Sequence, residues 1–416
     1  MMSPAKPALP SLTASITLAL LLLFVSSTIA QTDDTTKPGS YTIIAADGRI
    51  EFPFEIYRGD IRFQCKVNGH PVHMLFDDGY FWDQLLFWGG PAVDSLDLTY
   101  DGDVGVGEEG GTVMDSKIAS GLTVELPGVR LTEQTVIVTP ASSGNATMWF
   151  GSIGQISASF FKHFIVDINF DKMTITLIEP DKFTYRGSGV AVPWEPMSHG
   201  PRSIPATITT EDGRRIPLLA MLDLGYNDAL QLVTGCEHNI PVPKKSLPAS
   251  LGFDITGDET RGHIGRVSQI EIEGYKLNGV VAAFAEAKND NQAIEESMIG
   301  LELLSRFNLV YDFYGRKLYI EPNKSFDTPF EYSMSGFVVR RTRDGAVIQT
   351  IYDDSPASKA GLHVGDRIIE LNGKAPGEYD YYALQNMLRK RGESITLLIE
   401  RDSSKQTVSL VLDRVI

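Results

Sequence analysis

Cysteine is nearly absent: the 416 residues hold two, Cys65 and Cys236. That excludes a disulfide-stapled scaffold. The pair reads as two small buried hydrophobes, with a bridge between halves as the alternative. Histidine is also sparse, with seven residues, no His-Glu-x-x-His and no cluster at ligand spacing, so no metal and no cofactor is expected. His73, on an apolar run, reads as a satisfied core histidine. No Gly-x-Ser-x-Gly elbow occurs, which removes that class of serine hydrolase. Positive charge is in deficit. The formal net charge is −16, and losing residues 1–30, whose only charge is Lys6, leaves −17. Such a field repels phosphate backbones, which excludes nucleic acid as a main partner and suits polypeptide partners.

A long apolar run is missing as well. Residues 16–25 form an apolar stretch of ten, whereas a spanning helix needs ~20. With Lys6 before it and Thr28-Ile29-Ala30 after it, residues 1–30 are expected to be a signal peptide. The protein is therefore expected to be exported, periplasmic, cell-envelope or secreted, with an uncleaved anchor as the second reading. Asn145-Ala146-Thr147 and Asn323-Lys324-Ser325 match the glycosylation pattern of a eukaryotic secretory pathway.

What is present is a duplication. An apolar run ended by an Asp-x-Gly turn occurs at Leu75-Phe76-Asp77-Asp78-Gly79-Tyr80 and again at Met221-Leu222-Asp223-Leu224-Gly225-Tyr226. The two aspartates lie 146 residues apart, and Pro71/Pro217, Gly128/Gly274, Leu131/Leu277 and Gly154/Gly300 keep that spacing. A ladder of matches in constant register marks a duplicated unit. Two acidic turns on duplicated strands can face each other across a pseudo-two-fold axis as a paired-carboxylate site. The surrounding pattern is short β-like runs cut by Gly, Pro, Asn and Asp, without long amphipathic helices.

The pattern divides residues 41–180 and 190–322 into two similar β halves. A polar linker at 323–330 precedes a separate segment at 331–416, in which a helix is expected over 381–391. The glycine-rich stretch 102–111 contains Gly105-Val106-Gly107-Glu108-Glu109-Gly110, a dinucleotide fingerprint by letter only. Two glutamates would face the phosphates and no amphipathic helix follows. A surface hairpin is the plain reading of this stretch and of its counterpart at 257–265, and a mobile lid the functional one. Trp82 and Trp88 read as packing, or as an aromatic wall for substrate side chains.

Two resemblances follow from these residues. Segment 331–416, through Ser355-Pro356-Ala357, Ala360-Gly361-Leu362, Gly365-Asp366 and Leu371-Asn372-Gly373, resembles a PDZ domain. That resemblance implies binding of polypeptide or C-terminal peptide tails along Met334, Ser335, Gly336, Phe337 and Val338, beside the 381–391 helix. A groove packed against the neighbouring halves is the plain alternative. Residues 41–322 resemble the bilobal retropepsin/pepsin-like aspartyl proteases, specifically exported bacterial proteins with a C-terminal PDZ domain. The resemblance implies a mostly-β fold of duplicated barrel lobes. It also implies an endopeptidase in which Asp77 and Asp223 share one proton and activate water, with Ile153-Gly154 and Ile299-Gly300 as the later family step. The middle residue departs from the family's Thr or Ser. Asp78 and Leu224 stand there, flanked by Gly79 and Gly225, so a catalytically inactive peptide-binding scaffold remains as the second reading.

Overall fold

Alternation at period two builds the strands. In Arg49–Tyr57 the side chains of Ile50, Phe52 and Phe54 are buried while Arg49, Glu51 and Pro53 face outward, the signature of a half-buried strand. A computed structural model describes residues 13–14, 40–43, 45, 47–79, 84–107, 113–140, 151–196, 202–235, 239–253, 259–286, 297–342, 345–379 and 381–416. Contacts divide the chain into two units, Thr17–Phe330 and Glu331–Ile416, the latter joined by the short strand Thr13–Ala14.

The first unit contains one sheet plan used twice. Its first half runs through β1 (Asp60–Val67), β2 (His70–Phe76), β3 (Leu85–Trp88), β4 (Tyr100–Gly107), β5 (Val113–Leu126), β6 (Val129–Thr139) and β7 (Gly154–Ile156). The second runs through β8 (Arg202–Thr209), β9 (Arg215–Asp223), β10 (Leu230–Thr234), β11 (Leu247–Phe253), β12 (Glu259–Ile272), β13 (Tyr275–Glu286) and β14 (Met298–Gly300). The spatial orders are β1-β2-β7-β3-β6-β5-β4 and β8-β9-β14-β10-β13-β12-β11. Adding seven converts one into the other. Each half also curls back on itself through an extra pairing, β1 with β5 and β8 with β12. In both halves the strand leading to the aspartate has the late Gly-containing strand beside it in parallel, β2 with β7 and β9 with β14.

The glycines of those late strands are held by contact. A Cβ on Gly154 would stand 2.0 Å from the Leu86 carbonyl oxygen, and one on Gly300 would stand 2.1 Å from that of Asp228. No side chain fits there without moving backbone.

Six further strands join the halves. Their order is Val190–Pro193, Lys317–Pro322, Phe307–Asp312, Ile165–Asn169, Thr174–Ile178 and Arg49–Tyr57, all antiparallel. The central pair sets Val166 against Tyr311 and Ile168 against Leu309. Each half supplies three of the six strands, so the seam runs between Ile165–Asn169 and Phe307–Asp312.

The second unit is an antiparallel sheet of Phe337–Thr342, Gly345–Ile351, Arg367–Leu371, Ser394–Arg401 and Ser404–Val411, packed with the helix Tyr381–Leu388. Thr13–Ala14 pairs antiparallel with the outer side of Phe337–Thr342. Its own core includes Met334, Ile348, Leu388, Leu397 and Leu410. The short helix Pro356–Lys359 starts from Ser355, whose side chain accepts the Ser358 N–H, with proline at the first helical position. The main helix stops three residues before the expected 391. The Leu388 carbonyl accepts the Met334 N–H at 2.8 Å instead of continuing the helical ladder. Among the described residues no helix is long and apolar enough to cross a membrane.

Gly300→Ala is expected to cost roughly 2–4 kcal/mol, at the severe end for point substitutions, read as a lowered urea midpoint. Gly274→Ala, where a Cβ meets nothing within 4 Å but φ is +87°, should cost less than half of that.

Candidate active site

Each aspartate stands where its strand ends. Asp77 follows β2, and its N–H donates to the Ile156 carbonyl of the neighbouring β7 at 3.0 Å. Asp223 closes β9 in register with Gly300. Their exposures are 4% and 1%, so both carboxyls are withdrawn from bulk water.

The two turns interleave. A Cβ on Gly79 would lie 2.4 Å from Asp223 Cγ, and a Cβ on Gly225 would lie 2.4 Å from Asp77 Cγ. The distances to the carboxyl oxygens, 2.5 and 2.7 Å, also agree between the two. Each carboxyl therefore packs on the bare backbone of the opposite turn, related by a local two-fold axis. Only glycine permits this approach.

Asp223 Oδ1 accepts the N–H groups of Gly225 at 2.8 Å and Tyr226 at 2.9 Å. Those bonds favour its ionised form, yet its carboxyl is held well above the ordinary range. Burial is the main cause, followed by the charges of Asp77 and then Asp78. Burial and the neighbouring negative charges thus favour the protonated form of Asp223.

Asp78, 1% exposed, lies across the axis as well. Its Oδ1 accepts the Leu224 N–H at 2.6 Å, and its Oδ2 accepts the Tyr311 hydroxyl at 2.5 Å. The carboxylate thereby takes a bond from the opposite turn at the position where Thr or Ser was expected. The reverse bond is absent by chemistry, because Leu224 has an apolar side chain, fully buried. The cross-axis support is one-sided, and Tyr311 on the seam strand completes it. Tyr311 is packed beside Trp194 and Phe313, with ring centroids 6.1 and 6.3 Å away.

A further acid, Asp60, opens β1 at 5% exposure and hydrogen-bonds Asn227. Neither Tyr311 nor Asp60 was singled out from sequence. Their signal lies in strand register, which a residue pattern alone does not carry.

The remaining candidates fall as follows. The hairpin β4–β5 has its tip, 108–112, outside the described residues, as are 254–258 between β11 and β12. Tyr80, Trp82, Asn145 and Cys236 also lie outside them. Trp88 is buried. His73 is half-buried rather than in the core, with its ring Nε2 3.0 Å from Gln64 Nε2. Cys65 is a buried thiol, pushed up to about 12 by burial. The Asn323 amide donates to the Ser305 carbonyl and accepts from the Ser325 N–H. Among the described residues no group of three or more His, Cys, Asp or Glu is arranged to hold a metal ion.

In the second unit a largely apolar groove runs between Phe337, Val338 and Val339 and the helix. Gly336, Phe337, Val338, Val339, Leu384 and Leu388 contribute to its lining. Met334 is not part of it: its side chain is 1% exposed in the core and its N–H is taken by Leu388. Ser335 is likewise buried, with its hydroxyl 3.1 Å from that of Ser333.

Comparison with known proteins agrees with this division. Residues 347–401 match the family described as PDZ domain, and the second unit is a PDZ domain. Over 73 residues, 17% of this chain and 15% of the relative, the chain is 40% identical to a probable periplasmic serine endoprotease DegP-like of Marinomonas sp.. It is 28% identical over 172 residues, 41% of this chain and 33% of the relative, to the carboxy-terminal processing protease CtpB of Bacillus subtilis. It is 32% identical over 78 residues, 19% and 17% of the two chains, to the protease RseP of Yersinia pestis. The chain thus spans at most 33% of the length of these relatives. The crystal structure of an aspartic proteinase from Irpex lacteus aligns with 67% of this chain and 98% of its own, at 15% identity and a TM-score of 0.44. The architecture is mostly β, with barrel-like sheets followed by the PDZ domain.

Two outcomes follow. Tyr311→Phe leaves one Asp78 oxygen without its donor and should cost about 1–3 kcal/mol in urea unfolding. Asp223 has a folded pKa above its unfolded value, so its contribution to stability is fully present below the ordinary carboxylate range, about pH 4. That contribution is lost as pH rises through the elevated folded value. Asp223→Asn should therefore raise the urea midpoint at pH 7 and leave it little changed at pH 3. A lower midpoint at pH 7 would contradict this electrostatic account.

Proposed function

We propose that residues 41–322 form a pepsin-like aspartic endopeptidase in which Asp77 and Asp223 act as one dyad. The observation that carries the reading is the reciprocal packing of each carboxyl on the glycine of the opposite turn. It brings two duplicated acids to one axis, as shared-proton chemistry requires. Asp223, which keeps its proton, is the acid that polarises the scissile carbonyl. Asp77 is the base that takes a proton from the attacking water. Water adds to the carbonyl carbon, and the tetrahedral intermediate then passes a proton to the amide nitrogen as the C–N bond breaks. Asp78, Leu224 and Tyr311 hold the turns at the geometry this needs, where an error of about 1 Å costs roughly a hundredfold. The hairpins β4–β5 and β11–β12 are the segments that would cover the cleft.

The PDZ domain is proposed to bind an extended peptide tail beside Phe337–Val338, with the carboxylate received by backbone of Ser335 and Gly336. The apolar groove against Leu384 and Leu388 supports this. The partners are then polypeptide substrates or C-terminal tails. Export by residues 1–30, with a retained anchor as the alternative, is proposed from sequence alone.

A second reading has a specific observation behind it. Asp60, Asp77, Asp78 and Asp223 are four buried acids, with Asp77 acting on Asp60 and both Asp77 and Asp78 acting on Asp223, and Leu224 cannot return the support that Asp78 gives. Such a site could have lost catalysis while the PDZ groove continues to bind peptides.

Incubating residues 31–416 with a diverse peptide library between pH 3 and 8 separates the two. Cleavage that falls at least ~1000-fold in both Asp77→Asn and Asp223→Asn supports the enzyme. Loss of activity should come first on the alkaline side, as the retained proton leaves. A folded protein that cleaves nothing at any pH, yet binds C-terminal peptides through its PDZ domain, supports the scaffold.

A further inference from the structure

Asp60 is a buried carboxyl that the chemistry above leaves unused. The β1–β2 ladder pairs Ile61 with Phe76 and Phe63 with Met74. That ladder ends at the Ile61/Phe76 pair, so Asp60 and Asp77 each lie one residue beyond its last rung, at the same end of the two strands. On its other side Asp60 closes the tight turn to Tyr57. Its side chain hydrogen-bonds Asn227, four residues beyond Asp223 and so on the turn of the other half. Burial first, and then the Asp77 charge, push the Asp60 carboxyl well above its ordinary range, while the Asn227 bond pulls the other way. The titratable groups around it are therefore acids, with Asp77 its direct partner and Asp223, in turn, interacting with Asp77 and Asp78.

We propose that Asp60 is a positioning residue: it ties the strand of Asp77 to the Asn227 turn of the other half and fixes the Asp77 carboxyl in place. In its protonated form it adds no charge beside the dyad and still offers both a donor and an acceptor to an amide. It touches no substrate and acts through Asp77. The kinetic test rests on the aspartic endopeptidase reading, and the spectroscopic test does not.

In the kinetic test Asp60→Ala should lower kcat at least tenfold with KM within twofold of the parent. Asp60→Asn, which keeps a neutral hydrogen-bonding group, should restore kcat to within about threefold. Asn227→Ala cuts the same tie from the other side, so it should reproduce the kcat loss and add little to Asp60→Ala. Unchanged kcat in Asp60→Ala and Asn227→Ala, or Asp60→Asn as damaging as Asp60→Ala, overturns the proposal. The second measurement is a pH titration of 13Cγ-labelled aspartate by NMR, with Asp77 assigned by the signal lost in Asp77→Asn. The Asp77 signal should change shift and midpoint in Asp60→Ala and in Asn227→Ala. An Asp77 signal that ignores both substitutions overturns the proposal even if the protein cleaves nothing. Absence of cleavage by the parent protein bears on the endopeptidase reading alone.

Discussion

Burying two carboxyl groups against one another is the constraint around which the first unit is arranged. Like charges in a site closed to water cannot both persist, so one acid must keep its proton. The fold must then hold the pair close despite the repulsion. It does so with backbone: the carboxyls of Asp77 and Asp223 lie on Gly225 and Gly79, where no side chain intervenes. Those turns are in turn anchored by strands with a glycine-bearing neighbour, β7 or β14, that admits nothing larger. From the seam strands outward, the architecture delivers two turns to one axis.

Duplication supplied the frame, and divergence made its halves unequal. Asp223 receives two backbone N–H bonds from its own turn. Asp77 has the buried acid Asp60 near it, one residue beyond the last pair of β1 on β2. Asp78 reaches across the axis to Leu224, and Leu224 sends only its backbone in return. The pair is thus symmetric in position and asymmetric in environment. Environments that separate the proton affinities of two acids are what acid–base division of labour requires.

How much of this was legible in the sequence depended on whether a feature is local. The duplicated Asp-x-Gly turns and the Gly154/Gly300 step could be read because each is a short pattern repeated at one spacing, and the structure sets those glycines against backbone. The PDZ segment was legible for the same reason, through its Ser-Pro-Ala to Asn-Gly run. Asp60 was invisible because Tyr57-Arg58-Gly59-Asp60 reads as a surface turn until the register of β1 on β2 is known. Tyr311 looks like one more aromatic on a closing strand, and its bond to Asp78 spans 233 residues. Met334 was misread because a residue at the mouth of a loop pattern can turn its side chain into the core and give its N–H to a helix end. Pattern reports which residues share an element, and packing decides what each one meets.

The bond between Asp78 and Tyr311 also has a meaning in time. Its partners are made far apart on the ribosome, and the two seam strands close the first and the second half respectively. Contacts at such sequence separation form late, after the loop-closure cost of the intervening chain has been met. A chain that has emerged only through the first half carries Asp77 and Asp78 on a folded sheet but has no opposite turn to complete them. The acidic cluster is therefore assembled only when the second half is finished.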